Sequence, residues 1–315
     1  MPDAPLLKAG DTVWVAAPME WREACFSAPA LRAVRSMGVT VRVLCPQQQL
    51  PFWEASSFAG CKGYPEKAAA KQIAGLLEGA TVALAWEAGE AAEAFAKAGV
   101  PRRLGPPAKG LEKRVTERIQ LIDKPGPVAH RVQFYLKIAE KLGAEAMVAE
   151  NFAPLRIPVP SDPGRVLLVP DSDLGSHYQW LPERWEELAR ALLGRGRTLR
   201  IANSGPLGAT LAKALPEVDT VSLELPALEE LASHGLCITA DGSVPHLAAH
   251  VGTRCIVLFG PGEPQWMRPL GKQHAIARRK VECSPCHSPK CLMDLRCQRE
   301  LEVEEVLRVV DEAAA

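Results

Sequence analysis

Residues 236–261 constrain the fold more than any other part of the chain, because they predict a complete strand–helix–strand unit. Their sequence, LCITADGSVPHLAAHVGTRCIVLFGP, indicates a buried strand, a turn of small residues, a helix from about Pro245 and a second buried strand. Two strands joined by a helix run parallel in one sheet, with a right-handed crossover between them. The chain is therefore expected to belong to the α/β class.

The turn inside this unit predicts a ligand site. The first strand ends at Asp241, Gly242 and Ser243 form the turn, and His246 lies in the first turn of the helix. The first N–H groups of a helix lack partners within the helix, and the positive end of the helix dipole favours a phosphate beside them. The alternative is an ordinary strand–helix–strand unit in which Asp241 only caps the helix.

Length and composition fit two α/β domains. A chain of 315 residues is too long for one typical core, and a hydrophobic content of 47% suffices for two buried sheets. The 37 basic residues balance 37 acidic ones, which argues against a nucleic-acid-binding protein. No segment approaches the roughly 20 apolar residues that span a bilayer, and the start of the chain does not resemble an export signal. A cytoplasmic location is expected.

Short apolar strands alternate with amphipathic helices in both halves of the chain, which predicts parallel sheets. The first half has predicted strands at 11–17, 39–45 and 81–86, and predicted helices at 28–37, 66–78, 87–98 and 128–142. The second half adds strands at 165–169 and 198–202, and helices at 181–194, 208–215 and 302–314.

A proline-rich segment separates the two series. Residues 157–164 contain three prolines and one glycine, and such a composition does not continue a helix or a central strand. This segment is the predicted linker between an N-terminal Rossmann-like domain, 1–156, and a C-terminal one, 165–315. We expect the two sheets to face each other across a cleft.

Four motifs occur together in this chain. They are the run Asp241-Gly-Ser-Val-Pro-His246-Leu-Ala-Ala249, the strand end Phe259-Gly-Pro261, the helix start Trp180-Leu-Pro, and the cysteines Cys283, Cys286, Cys291 and Cys297 with the spacing C-x2-C-x4-C-x5-C. With Pro29-Ala-Leu-Arg-Ala33 in the first half, this set resembles glycosyltransferase family 9, the group that contains the ADP-heptose:lipopolysaccharide heptosyltransferases. The resemblance covers most of the chain.

The resemblance implies a GT-B fold and an enzyme that transfers a sugar with inversion and without a metal or other catalytic cofactor. The donor would be a nucleotide-diphosphate sugar such as ADP-heptose. The acceptor would be lipopolysaccharide or another surface glycan or glycolipid, reached from the cytoplasmic face with at most peripheral membrane contact. Such chemistry needs a carboxylate that takes the proton of the acceptor hydroxyl, and groups that stabilise the departing diphosphate.

The resemblance also assigns a base. Alignment through Pro29 puts Glu23 at the position of the family's carboxylate, with neighbouring Glu20 as the alternative. Both could equally be solvated loop residues. The family's arginine at the end of the first strand is replaced by Ala17.

On the donor side, the resemblance implies contacts from a set of small and polar residues: Ser172, Tyr178, Asp241, Gly242, Ser243, His246, Gly260 and Pro261. Tyr178 stands in place of a family lysine and carries no positive charge. Asp171 and Asp173 precede it in a loop and would repel a phosphate, so they are either turn and helix-entry residues or the sign of a different ligand.

These departures leave three functional hypotheses. The first is a divergent glycosyltransferase with a different sugar donor. The second is a relative that binds a nucleotide or sugar without catalysis. The third is another GT-B-like sugar-nucleotide enzyme, such as an epimerase.

The four clustered cysteines have two interpretations. Four thiols within fifteen residues suit a structural zinc site, but their spacing is tighter than in most zinc ribbons, so a metal-free cluster or a disulfide pair is the alternative. Four protein ligands would leave a metal no open position for catalysis.

Overall fold

The computed structural model describes residues 5–121, 126–288 and 290–314. The chain divides into two compact units, Met1–Ala153 and Pro154–Ala315. Each unit contains one six-stranded sheet in which every paired strand is parallel. Within the described residues, no helix combines the length and the apolar character that a membrane crossing needs.

The first unit has strands in the order β3-β2-β1-β4-β5-β6. The strands are β1 (Thr12–Ala16), β2 (Thr40–Pro46), β3 (Gly60–Tyr64), β4 (Val82–Leu84), β5 (Arg102–Gly105) and β6 (Glu117–Arg118). The helices are α1 (Trp21–Ser36), α2 (Leu50–Ala55), α3 (Ala70–Ala74), α4 (Glu90–Lys97) and α5 (Val132–Leu142).

Helix α1 begins seven residues before its predicted start at residue 28 and runs through Pro29. A proline inside a helix removes one hydrogen bond and crowds the preceding turn. Here the apolar residues from Ala24 to Val34 are buried, and this packing outweighs the local cost of the proline. As a result, Glu20 is the N-cap and Glu23 lies in the first helical turn instead of a loop.

The second unit repeats the topology of the first, in the order β9-β8-β7-β10-β11-β12. The strands are β7 (Asp162–Val169), β8 (Thr198–Ala202), β9 (Asp219–Val221), β10 (His234–Ala240), β11 (Arg254–Phe259) and β12 (Ala275–Arg278). The helices are α6 (Pro182–Gly194), α7 (Pro206–Ala214), α8 (Leu228–Ala232), α9 (Val244–His250), α10 (Pro264–Met267), α11 (Arg296–Arg299) and α12 (Val303–Ala314).

The predicted linker at 157–164 overlaps the first strand of the second unit, since β7 already begins at Asp162. Pro163 is accommodated because the register between β7 and β10 shifts between His234 and Leu236. At this irregularity Gly235 lies so close that a Cβ there would be 2.5 Å from the Cα of Pro163. The close approach of the two backbones thus allows a proline-containing segment to join the sheet.

Both sheets reverse their strand order next to the first strand, between β1 and β4 and between β7 and β10. At such a position the connections on either side lead to opposite faces of the sheet, and a crevice opens at the carboxyl ends of the strands. The fold therefore offers one ligand position in each unit.

Candidate functional site

A cavity of about 280 Å³ lies at the carboxyl ends of β7, β8 and β10 in the second unit. It occupies the position where the strand order of this sheet reverses, which is the usual ligand position of such folds. Its wall includes polar and small residues from three loops: Asp171, Ser172 and Asp173 after β7, Ser204 and Gly205 after β8, and Gly242 and Ser243 after β10.

Asp171 binds the start of helix α7. Its two carboxylate oxygens accept hydrogen bonds from the backbone N–H groups of Leu207, at 3.0 Å, and Gly208, at 2.7 Å. A carboxylate at a helix start satisfies unpaired N–H groups and interacts favourably with the helix dipole. Gly205 is needed beside it, because a Cβ at that position would overlap the Asp171 carboxylate.

Asp173 occupies the predicted phosphate turn. Its carboxylate accepts hydrogen bonds from the backbone N–H of Ser243, at 2.9 Å, and from the Ser243 hydroxyl. Gly242 permits this approach, since a Cβ there would be 2.5 Å from the Asp173 carboxylate. The backbone N–H of Ser243 in the predicted phosphate turn thus already has an acceptor, a carboxylate from the same unit.

Asp171 and Asp173 thus stabilise a helix start and a turn, which is one of the two roles that the sequence predicts for them. The wall of the second-unit cavity contains no lysine, arginine or histidine among its described residues. It contributes instead neutral hydrogen-bonding side chains, namely Ser172, Gln179, Ser204, Thr239 and Ser243.

The cavity brings together three of the predicted donor residues, Ser172, Gly242 and Ser243. The Ser172 hydroxyl also donates to the backbone carbonyl of Asp241, at 2.5 Å, which ties the loop after β7 to the end of β10. Asp241 and His246 lie outside the cavity wall, each with 1% of its surface exposed. Their contact with a donor stays a prediction.

Three further predicted donor residues also lie outside the cavity wall. Tyr178 packs its ring against His177, while Gln179, which sequence reasoning missed, lines the cavity. Gly260 and Pro261 contact the cysteine segment: the Gly260 carbonyl accepts from the Ser284 hydroxyl at 2.9 Å, and the Pro261 carbonyl accepts from the Cys286 N–H at 3.1 Å.

Glu23 belongs to a cluster of polar side chains in the first unit. Its carboxylate oxygens lie 3.0 and 2.9 Å from Nε of Arg131, and its Oε2 accepts from the Tyr135 hydroxyl at 2.5 Å. Burial, and then the charge of Glu23, raises the pKa of Tyr135 well above its usual range. Tyr135 therefore stays protonated and donates to the carboxylate.

Glu20, the alternative base, has a different environment. Its side chain is 68% exposed and contacts Arg22 at 3.5 Å, whereas the Glu23 side chain is 17% exposed. Only Glu23 is held by partners from another helix. Sequence reasoning missed Arg131 and Tyr135, which lie more than 100 positions further along the chain.

The four clustered cysteines are free thiols. Cys297 is buried. Its burial, and then the charges of Cys283, Cys291 and Cys286, raise its pKa to about 11. The four cysteine side chains therefore lie close to one another. Across residues 5–121, 126–288 and 290–314, no three His, Cys, Asp or Glu side chains are arranged to hold a metal ion. The thiols therefore do not fit the predicted zinc in this arrangement.

We predict that Asp171→Asn lowers the free energy of unfolding by about 1–2 kcal/mol, because an amide can accept only one of the two N–H bonds at the start of α7. Urea denaturation would measure this loss. As a control, Asp219→Asn at the exposed start of β9 is expected to change stability by less than about 0.5 kcal/mol. Equal effects of the two substitutions would contradict the capping role.

Comparisons with known proteins agree with this architecture. The model of glycosyltransferase family 9 (heptosyltransferase) matches residues 115–296, which is more than half of the chain. Lipopolysaccharide heptosyltransferase 1 of Pseudomonas aeruginosa is 27% identical over 122 residues, which make up 36% of this chain and 33% of that protein. The chain thus spans about a third of the length of this relative.

Two solved structures share the fold along nearly the whole chain. ADP-heptose lipopolysaccharide heptosyltransferase II of E. coli has a TM-score of 0.76 at 16% identity, over 96% of this chain and 98% of that one. E. coli heptosyltransferase WaaC with ADP has a TM-score of 0.72 at 16% identity, over 96% and 99%. This likeness confirms the predicted fold class, two Rossmann-like domains of the GT-B type. The match along residues 115–296 shows that the chain belongs to glycosyltransferase family 9, as a divergent, heptosyltransferase-like member.

Proposed function

We propose that this protein transfers a heptose-like sugar, with inversion and without a catalytic metal, from a nucleotide-diphosphate donor to a hydroxyl of lipopolysaccharide or another surface glycan. The single observation that carries the proposal is the second-unit cavity, which a family 9 chain presents where its sheet reverses strand order. The structure of E. coli WaaC with ADP supports an adenine nucleotide as the donor's leaving group.

The proposal assigns the uncharged part of the donor, the nucleoside, to the second-unit cavity. Asp171 and Asp173 already fill the two anion-binding positions in its wall, so a diphosphate would be repelled there. Ser172, Gln179 and Ser204 offer neutral hydrogen-bonding groups to a ribose and base.

Glu23 is the proposed base and belongs to the acceptor-side unit. Its carboxylate would take the proton of the acceptor hydroxyl while that oxygen bonds to the anomeric carbon and the bond to the diphosphate breaks. Arg131 and Tyr135 support this role because their hydrogen bonds hold the carboxylate in one orientation. The resemblance to lipopolysaccharide enzymes supports a reaction at the cytoplasmic face, with at most peripheral membrane contact.

A thermal-shift titration with ADP, UDP and GDP tests the donor assignment. A nucleotide at about one hundred times its Kd adds about 2.7 kcal/mol to stability, so we expect one of them to raise the Tm by several degrees. Val244→Phe, which places a ring in the cavity wall, should remove this shift. Val128→Phe at an exposed position of the first unit is the matched control and should retain it. If no nucleotide raises the Tm, the donor assignment fails.

A relative that binds nucleotide without transferring a sugar is the second candidate. Two features of the second-unit cavity favour this candidate. Asp171 and Asp173 occupy the positions where a diphosphate could bind, and the described residues of the wall include no cation that would stabilise a leaving diphosphate. A nucleotide that raises the Tm but supports no turnover with any tested nucleotide sugar would favour this candidate over the transferase.

A further inference from the structure

The loop between β1 and α1, residues 17–20, leads directly into the helical turn that carries Glu23. Pro18 in this loop is buried, Met19 is exposed, and neither residue lies in a strand or a helix. The hydrogen bonds of the sheet and of the helices therefore do not serve their carbonyl groups. A carbonyl that is removed from water needs a donor from another part of the chain, because an unpaired one lowers the stability of the fold.

Gln49 supplies a donor to both carbonyl groups. Its side-chain amide nitrogen donates to the Pro18 carbonyl at 2.9 Å and to the Met19 carbonyl at 3.0 Å. Its amide oxygen accepts from the Trp53 indole N–H at 3.1 Å. Gln49 is fully buried, so water cannot replace these bonds. A polar side chain 30 positions away from Met19 thus holds this loop.

The three hydrogen bonds leave the Gln49 amide only one orientation. The Trp53 indole N–H can only donate, so it must face the amide oxygen, and this turns the amide NH2 group towards the two carbonyls. An amide NH2 group has two hydrogens, and both are used. Glutamate and methionine have nearly the same length as glutamine, but neither offers an N–H donor. The position therefore requires the chemistry of glutamine and not only its size.

The segment that contains Gln49 also packs against the start of α1. Gln49 is the N-cap of α2, and Phe52 in α2 places its ring against the ring of Trp21, with 6.3 Å between the two centroids. Trp21 is the first residue of α1 and precedes Glu23 by two positions. This segment therefore contacts both the loop and the helix that follows it, the loop by hydrogen bonds and the helix by a ring contact.

The environment of Glu23 depends on where α1 begins. Its partners Arg131 and Tyr135 are the N-cap of α5 and a residue of that helix, so the carboxylate meets them only if α1 starts at a fixed place beside α5. The contacts with Arg131 and Tyr135 are 3.0 Å or shorter. A displacement of about 1 Å would lengthen them beyond good hydrogen-bond geometry, and a misplacement of this size can lower a rate about 100-fold.

We propose that Gln49 is a positioning residue for sugar transfer, which holds the loop before α1 so that the Glu23 carboxylate keeps its place beside Arg131 and Tyr135. Because Gln49 is fully buried, it acts through Glu23 and not on a substrate. The inference rests on the proposed function, in which Glu23 takes the proton of the acceptor hydroxyl.

Gln49→Met tests this role, because it keeps the length of the side chain and removes both donors. We expect kcat for sugar transfer to fall by about 10- to 100-fold, while the KM for the nucleotide sugar stays within about twofold. Gln48→Met, at the exposed neighbouring position, is the matched control and should change neither value by more than about twofold. Assays below the Tm of each variant ensure that kcat reports folded protein. If Gln49→Met does not fold, Trp53→Phe, which removes only the N–H that orients the amide, should lower kcat in the same way.

A double substitution shows whether Gln49 acts through Glu23. In protein that already carries Glu23→Gln the base is absent, so adding Gln49→Met should lower kcat further by less than about twofold. A full multiplicative loss in the double variant would overturn the proposal, because Gln49 would then act on another step. An unchanged kcat in folded Gln49→Met alone would overturn it as well.

A resonance that needs no substrate separates this proposal from the proposed function. The Nε–H of Arg131 faces the Glu23 carboxylate, so its ¹⁵N–¹H resonance, assigned with Arg131→Lys, reports the position of that carboxylate. We expect Gln49→Met to shift this resonance and Gln48→Met to leave it in place, and the absence of a shift in Gln49→Met would overturn the proposal. If the original protein transferred no sugar while Gln49→Met shifted the resonance, the transferase function alone would fail, and Gln49 would still position the carboxylate.

Discussion

Glu23→Gln is expected to lower kcat for sugar transfer by about 100- to 10,000-fold, the usual contribution of a general base. Glutamine has nearly the size of glutamate and still accepts hydrogen bonds from Arg131 and Tyr135, but it cannot take the proton of the acceptor hydroxyl. Initial rates with a nucleotide sugar that the thermal-shift titration identifies would measure the loss.

Glu20→Gln is the matched control for this prediction. Glu20 is the N-cap of the same helix and is the other carboxylate considered as the base, but its side chain is largely exposed. We expect its kcat to stay within about twofold of the original protein, because a solvated carboxylate without partners from another helix contributes little. Unchanged turnover in Glu23→Gln, or a comparable loss in both variants, would remove Glu23 from the mechanism. The Tm of each variant separates a chemical loss from unfolding.

Gly208→Ala is expected to lower the free energy of unfolding by about 3 kcal/mol or more, the range of overpacking and strain at a buried position. A Cβ at residue 208 would overlap the backbone carbonyl oxygen of Ala202 and lie 3.0 Å from the Cα of Asn203. Both obstacles are backbone atoms, so α7 would have to move away from the end of β8. That movement would also separate the Gly208 N–H from Asp171.

Gly194→Ala provides the control for this effect. Gly194 is the last residue of α6, and no heavy atom lies within 4 Å of the position that its Cβ would take. Alanine has the higher helix propensity, so this variant should be neutral or more stable by up to about 1 kcal/mol. Urea denaturation compares the two. If Gly208→Ala were as stable as Gly194→Ala, the close approach of α7 to the end of β8 would not restrict residue 208 to glycine.

The central strands could be predicted from the sequence, whereas the sheet edges could not. Strands β1, β2, β10 and β11 are apolar runs, because a parallel strand that is buried on both faces needs apolar residues at successive positions. The outer strands β3, β6, β9 and β12 are short and partly exposed, and they carry no comparable pattern. Their pairing depends on the neighbouring strand already present in the sheet.

Local sequence rules also fail where packing opposes them. Pro29 suggests a helix start, yet α1 begins at Trp21 because its apolar side is buried in the first unit. The proline-rich segment suggests a linker, yet Pro163 lies in β7 because the register with β10 shifts beside Gly235. In both cases many buried contacts outweigh one unfavourable residue.

In the candidate site, too, the sequence predicted features that depend on neighbouring residues but not the contacts between residues far apart in the chain. The small-residue turn at Gly242 and Ser243 and the alignment of Glu23 were available from short motifs, since each depends on residues close together in the chain. The partners of these residues were not, because Asp173 reaches Ser243 from 70 positions away and Arg131 reaches Glu23 from 108 positions away.

The sequence alone determined that this protein has two α/β units with a strand–turn–helix ligand motif in the second, because periodicity and turn chemistry are local properties. Only the tertiary structure decided that a carboxylate already fills that turn and that Glu23 is held by two donors. These contacts join residues that are far apart in the chain, and such residues meet only when the strands that precede them lie close together in the folded sheet.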